Sequence, residues 1–82
     1  MINLDIRSPE MNRVIVQGRL IAIDQATWAG SLLTLRQGGV VRGTAILNAK
    51  GSFTLEANAN SAELFALRID SPDNGTIALD DL

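Results

Sequence analysis

Hydrophobic and polar residues alternate with a period of two along most of this chain. In the first segment, for example, Ile2, Leu4 and Ile6 are separated by polar residues. This period is typical of a β-strand with one buried face. No stretch with a helical period competes with it. The pattern predicts seven strands, over residues 2–7, 14–23, 33–36, 40–47, 52–57, 64–69 and 77–79.

Turn-forming residues separate these segments. Gly38-Gly39 indicates a two-residue hairpin, and Asn48-Ala49-Lys50-Gly51 fits a type I turn closed by a left-handed glycine. Pro72-Asp73-Asn74-Gly75 indicates another turn. Gly18 and Gly43 lie inside strands and predict a bulge or a close backbone approach. The fold expected is a single all-β domain over residues 1–82, a seven-stranded antiparallel β-sandwich with an Ig-like Greek key.

Composition removes several classes of function. The chain has no cysteine and no histidine, which excludes disulfides, thiolate metal sites and a histidine-based nucleophilic triad. A net charge of −2 without a basic face argues against nucleic-acid binding. No apolar run reaches the length of a membrane span, and the N-terminus lacks signal-peptide features, so a cytoplasmic location is expected. No enzyme activity and no cofactor are expected.

Four short motifs occur in order along the chain. They are Val16-Gln17-Gly18-Arg19-Leu20, Ala29-Gly30-Ser31-Leu32-Leu33-Thr34-Leu35, Asn48-x-x-Gly51-x-Phe53 and Leu67-Arg68-Ile69. Together they resemble the carboxypeptidase regulatory-like domains, which are transthyretin-like (prealbumin-like) β-sandwiches. The similarity covers most of residues 14–70. Asn48 stands where the family has an aspartate, and Phe65 is nearest to its usual tyrosine.

The resemblance implies a non-catalytic appendage that assists folding or mediates contacts. The segments 2–7 and 75–82 also resemble a bacterial subgroup in which such a domain follows a zinc-finger-like anti-sigma module. The histidine and cysteine ligands of that module are absent, so control of a sigma factor is not implied.

The late acidic segment contains candidate ligands, but a turn and solvated charges account for it better than a metal or catalytic site. Counting from Asp70 as in a calcium loop, the third ligand position is Pro72, which has no side-chain oxygen. Asn74-Gly75-Thr76 matches a glycosylation pattern, but a turn accounts for it. Asp80 and Asp81 are neighbours on a strand and would point to opposite faces.

Arg36 and Arg42 flank the Gly38-Gly39 hairpin and could bind an anion. Cross-strand charges at the surface of a hairpin are the more common arrangement, and they account for both residues.

The segment 14–23 is apolar on both faces, which is the main positive signal. Ile15, Ile21 and Ile23 would be partly exposed unless Gly18 reorients them or another surface covers them. Trp28 is either a contact residue or a cap on the sandwich. These four residues are the predicted interaction site. The predicted function is a structural or interaction module that forms a homodimer or docks on a partner through an aliphatic face or edge strand. The alternative is a carbohydrate- or calcium-binding module.

Overall fold

The computed structural model describes residues 2–21, 28–60, 63–71 and 75–80. Seven strands lie within these residues, as the alternation predicts. Their bounds are β1 Ile2–Glu10, β2 Arg13–Leu20, β3 Leu32–Gln37, β4 Val40–Ile46, β5 Ser52–Asn58, β6 Ala66–Ser71 and β7 Gly75–Leu79.

The strands form two antiparallel sheets. One has three strands in the order β1-β2-β5, and the other has four in the order β4-β3-β6-β7. The all-β sandwich is therefore confirmed. The sheets come together at one side, where Gly43 of β4 lies against Ala57 of β5. The edge strands at the other side are β1 and β7.

The core lies between the sheets and follows the period-two pattern. Alternate residues of β2 and β5 face those of β3 and β6, because successive side chains of a strand point to opposite faces. Burial falls toward β1 and β7, whose inward side chains are only partly covered. The buried apolar residues are Val14, Val16, Leu20, Trp28, Leu33, Leu35, Leu47, Phe53, Leu55, Ala57, Ala59, Phe65, Leu67 and Ile69.

Several strand limits differ from the prediction. β1 continues through Pro9 to Glu10, with a register shift between Arg7 and Glu10. An edge strand tolerates a proline because its outer side needs no ladder hydrogen bond. β2 ends at Leu20 instead of residue 23, and its Leu20 N–H donates to the Gly51 carbonyl at 2.7 Å. β6 begins at Ala66, two positions later than residue 64.

The two strand glycines have different roles. The register of β2 runs without a shift through Gly18, so the predicted irregularity there is a close approach and not a bulge. A Cβ on Gly18 would lie 2.6 Å from the Asn3 carbonyl oxygen. Near Gly43 the ladder does shift: Leu35 pairs with Gly43 but Arg36 pairs with Val41. The extra residue of this bulge is Arg42.

Both predicted glycine turns that fall on described residues are confirmed. Gly38 and Gly39 have φ values of 59° and 79°, as a type I′ hairpin requires. Gly51 has a φ of 78°, and its N–H donates to the Asn48 carbonyl at 3.0 Å. The Asn48 side-chain oxygen also accepts from the Ser52 N–H at 2.9 Å. The turn predicted at 72–75 falls mostly on residues outside the described ranges.

One buried polar side chain fixes the connection after β5. Gln37 is buried at the end of β3, and its amide nitrogen donates to the Asn60 carbonyl at 2.7 Å and the Glu63 carbonyl at 3.3 Å. Its side-chain oxygen accepts from the Asn60 N–H at 2.9 Å. These bonds offset the cost of burying the amide and hold the backbone in place.

Candidate interaction surfaces

Trp28 belongs to the core. Its side chain is 9% exposed and packs in the main hydrophobic cluster. Its backbone carbonyl accepts hydrogen bonds from both the N–H and the hydroxyl of Ser31. The Gly30 N–H donates to the Leu47 carbonyl, and the Leu47 N–H donates to the Ser31 carbonyl. These two bonds connect the segment after Trp28 to the end of β4. At 9% exposure, little of the Trp28 ring is open for stacking a sugar.

The three predicted isoleucines do not share an aliphatic face in the part of the chain that the structure describes. Ile15 is half-buried on the outer face of the three-stranded sheet, where Arg7 and Glu56 are its cross-strand neighbours. Ile21 follows the end of β2 and is 40% exposed. Ile23 lies outside the described residues. The outer face around Ile15 is polar.

An exposed aliphatic surface lies instead on the four-stranded sheet. Leu32 and Ile46 face each other across β3 and β4 and are 42% and 60% exposed. Val41 is 49% exposed and pairs with Arg36. We call this surface the hairpin face, defined by Leu32, Thr34, Val41, Thr44 and Ile46.

The hairpin face was not predicted from the sequence, although a signal for it is present. Alternation that points Leu33 and Leu35 inward requires Leu32 to point outward. In the segment 40–47, apolar residues occur at both parities, so one set must be solvent-facing. The longer segment 14–23 is apolar on both faces, and the interaction site was therefore predicted on β2.

The acidic residues in the described part of the chain do not converge on a metal. No group of three or more histidine, cysteine, aspartate or glutamate side chains occurs there. One Asp70 side-chain oxygen accepts from the Thr76 hydroxyl at 2.7 Å and from the Arg68 Nε at 3.0 Å. The Thr76 bond, followed by that of Arg68, lowers the pKa of Asp70. Of the other candidate positions, Pro72, Asn74 and Asp81 lie outside the described residues.

Arg36 and Arg42 line separate depressions. Arg36 borders one together with Asp80, beside the Gly38-Gly39 turn. Arg42, displaced by the bulge, borders a shallow depression of about 430 Å³. It makes no ion pair or hydrogen bond with the residues that the structure describes. The other residues around this second depression are Met11, Asn12, Asn58, Ala59 and Asn60.

The outer edge of β1 is a further open surface. Within the described ranges, β1 pairs only with β2. Asn3, Asp5 and Arg7 point to the solvent face, where Arg7 Nε lies 3.5 Å from an Asp5 carboxylate oxygen. Ile6 points inward and is 38% exposed, because the core ends near it.

Comparison with known proteins leaves the family open. No family model, no curated protein and no solved structure matches this chain significantly. Among the described residues, no helix is long and apolar enough to cross a membrane. Function must therefore be inferred from the surfaces themselves.

Proposed function

We propose that this domain is a non-catalytic interaction module that docks on a partner protein through the hairpin face. The observation that supports this most is the grouping of Leu32, Val41 and Ile46 on one side of one hairpin. Single exposed aliphatic residues are normal on a protein surface, but three on one face, two of them directly paired across the hairpin, favour an interaction surface. Each side chain is about half exposed, so covering it would contribute on the order of 1 kcal/mol.

The shape of the hairpin face suits a protein partner. The surface lies on paired strands, and the Thr34–Thr44 pair separates its two apolar ends. Thr34 is itself buried by its neighbours, so this part of the sheet is well packed before any partner binds. A surface on well-packed, paired strands loses little conformational entropy on docking. The non-catalytic part of the proposal rests on a sequence without histidine or cysteine.

Ile46→Asp tests the docking surface, and Ile21→Asp is its matched control. Both place a charge at an exposed isoleucine, and Ile21 also belongs to the site predicted from sequence. A partner captured with the wild-type domain would be identified, purified and titrated against all three proteins by calorimetry. We expect Ile46→Asp to weaken binding by at least about tenfold, which corresponds to about 1.4 kcal/mol, and Ile21→Asp to leave it unchanged.

Three results would overturn this proposal. One is the failure of the wild-type domain to retain any specific protein. Another is equal affinity for the wild type and Ile46→Asp. The third is a loss of binding in Ile21→Asp alone, which would return the site to the end of β2.

A small-ligand module is the second candidate, favoured by Arg42. The bulge places Arg42 beside a depression that three asparagines also line, and the Gln37 hydrogen bonds hold the Asn60 backbone at one side of it. Guanidinium and carboxamide groups suit an acidic sugar, whose carboxylate and hydroxyls they can bind. Chemical shifts of the Arg42 and Asn58 side chains during titration with glucuronate, with glucose as control, would test it. Shifts with glucuronate that disappear in Arg42→Gln support this function, and unchanged spectra exclude it.

A further inference from the structure

We infer that two copies of this chain pair through the outer edge of β1, as antiparallel strands related by a twofold axis at Ile6. The β1 edge is separate from the hairpin face, so this inference does not depend on the docking proposed above. It follows from three observations: an edge that no described strand covers, a charge pattern that complements itself, and an inward isoleucine at the margin of the core.

The edge of β1 can accept another strand. The strand is nine residues long and, in the described structure, has β2 as its only neighbour. An edge strand presents unpaired N–H and C=O groups to any strand that approaches. Proteins commonly block such an edge with a proline, a bulge or lysines. Here Pro9 and the register shift lie after Arg7, and no lysine occurs in β1, so the segment from Ile2 to Arg7 is regular.

Charge selects the register of a symmetric pair. A twofold axis at Asp5 or at Arg7 would place two like charges directly opposite each other, which is destabilising. An axis at Ile6 instead places Asp5 of each copy opposite Arg7 of the other. Both residues already lie on the solvent face, where they form an ion pair within one copy. The pairing would therefore form two equivalent ion pairs between the copies.

The inward face agrees with the same register. Ile2, Leu4 and Ile6 point toward the core; Ile2 and Leu4 are partly buried, and Ile6 is 38% exposed. With the axis at Ile6, the exposed Ile6 side chains of the two copies meet at the centre of the dimer. An axis at Leu4 would also join apolar residues, but it would leave Asp5 opposite Asn3 and give Arg7 no acidic partner in the other copy.

Pro9 limits the length of the pairing. Because proline has no N–H, the shared ladder is expected to include only Leu4 to Ser8 of each copy. An interface of about five residues per copy is small, so we expect a dissociation constant on the order of 10–100 µM. The ion pairs lie on the surface, so the association should weaken as salt is added.

Single cysteines measure the register directly, since the natural chain has none. In the proposed dimer, residue 6 of one copy lies opposite residue 6 of the other at a Cβ–Cβ distance of about 4.5–5.5 Å, close to that of a disulfide. We expect Ile6→Cys to cross-link rapidly with diamide, and Leu4→Cys, which also points inward, to do so at least about tenfold more slowly. Equal rates, or faster cross-linking of Leu4→Cys, would overturn the register.

A charge swap tests the pairing without a covalent link. By sedimentation equilibrium, Asp5→Arg should weaken the dimer at least about tenfold, and Asp5→Arg/Arg7→Asp should restore it. Circular dichroism checks that each variant is folded. A wild-type chain that is monomeric at about 1 mM, or a double variant that stays monomeric, would overturn the inference. Ile46→Asp should leave the dimer unchanged, which separates this result from the docking experiment.

Discussion

Gly18→Ala is the substitution for which the structure gives the sharpest expectation. The new Cβ would lie 2.6 Å from the Asn3 carbonyl oxygen, 2.8 Å from the Phe53 Cζ and 2.9 Å from the Leu4 Cδ2. All three distances are shorter than an ordinary contact between these atoms. A side chain can turn aside, but the Asn3 oxygen is backbone, so β1 itself must move away from β2.

The magnitude follows from two opposing effects. Replacing glycine by alanine usually stabilises by about 0.4–1 kcal/mol where the backbone allows it, because the unfolded chain loses freedom. Overpacking a close-fitting site costs about 1–3 kcal/mol. We therefore expect a net loss of about 1–2 kcal/mol. For a domain of this size, the melting temperature changes by about 4–8 °C for each kcal/mol.

Urea denaturation followed by circular dichroism measures this loss, and Gly43→Ala is the matched control. A Cβ on Gly43 would meet its nearest atom, the Ala57 Cβ, at 3.0 Å, and its nearest backbone atom at 3.4 Å. The control should therefore lose less stability than Gly18→Ala. Two results would contradict this reasoning: a Gly18→Ala variant as stable as the wild type, or a Gly43→Ala variant less stable than Gly18→Ala. Either would show that the close approach of β1 to β2 is not what requires a glycine at position 18.

Two further substitutions test the assignments of Trp28 and Asp70. Trp28→Ala should lower the free energy of unfolding by about 3–5 kcal/mol in urea denaturation, because a core side chain is removed; a stable variant with only a binding defect would contradict this. Thr76→Val should raise the pKa of Asp70 toward its ordinary value, measured by carboxyl-carbon NMR. The wild-type pKa is lowered, so the stabilising effect of this carboxylate is present above the ordinary pKa and lost as pH falls through the lowered one. The variant should begin to lose it at higher pH, and an unchanged titration would show that the Thr76 bond is unimportant.

Local patterns were sufficient for the strands and turns. Side chains alternate across a strand for covalent reasons, so period-two segments such as 52–57 could be assigned without any tertiary information. The turns at Gly38-Gly39 and Gly51 were equally accessible, since positive φ values are sterically easy only for glycine. The inward residues of β5 and β6 follow directly from these assignments.

Strand limits were less accessible because neighbouring strands decide them. β2 ends at Leu20, where both neighbouring strands begin, although the apolar pattern continues to Ile23. β1 continues through Pro9 because it is an edge strand, and edge position is a property of the sheet order. The choice between a bulge and a close approach at Gly18 likewise required the position of Asn3.

The sequence by itself determined that this chain is an all-β domain, and which residue types it can use for chemistry. Only the tertiary structure decided which apolar residues remain exposed. Trp28 became core and Ile46 became surface because burial depends on the element that packs opposite, and the periodicity of a single strand does not contain that information. For the same reason, the hairpin face and the β1 edge that no other described strand covers could be located only from the two assembled sheets.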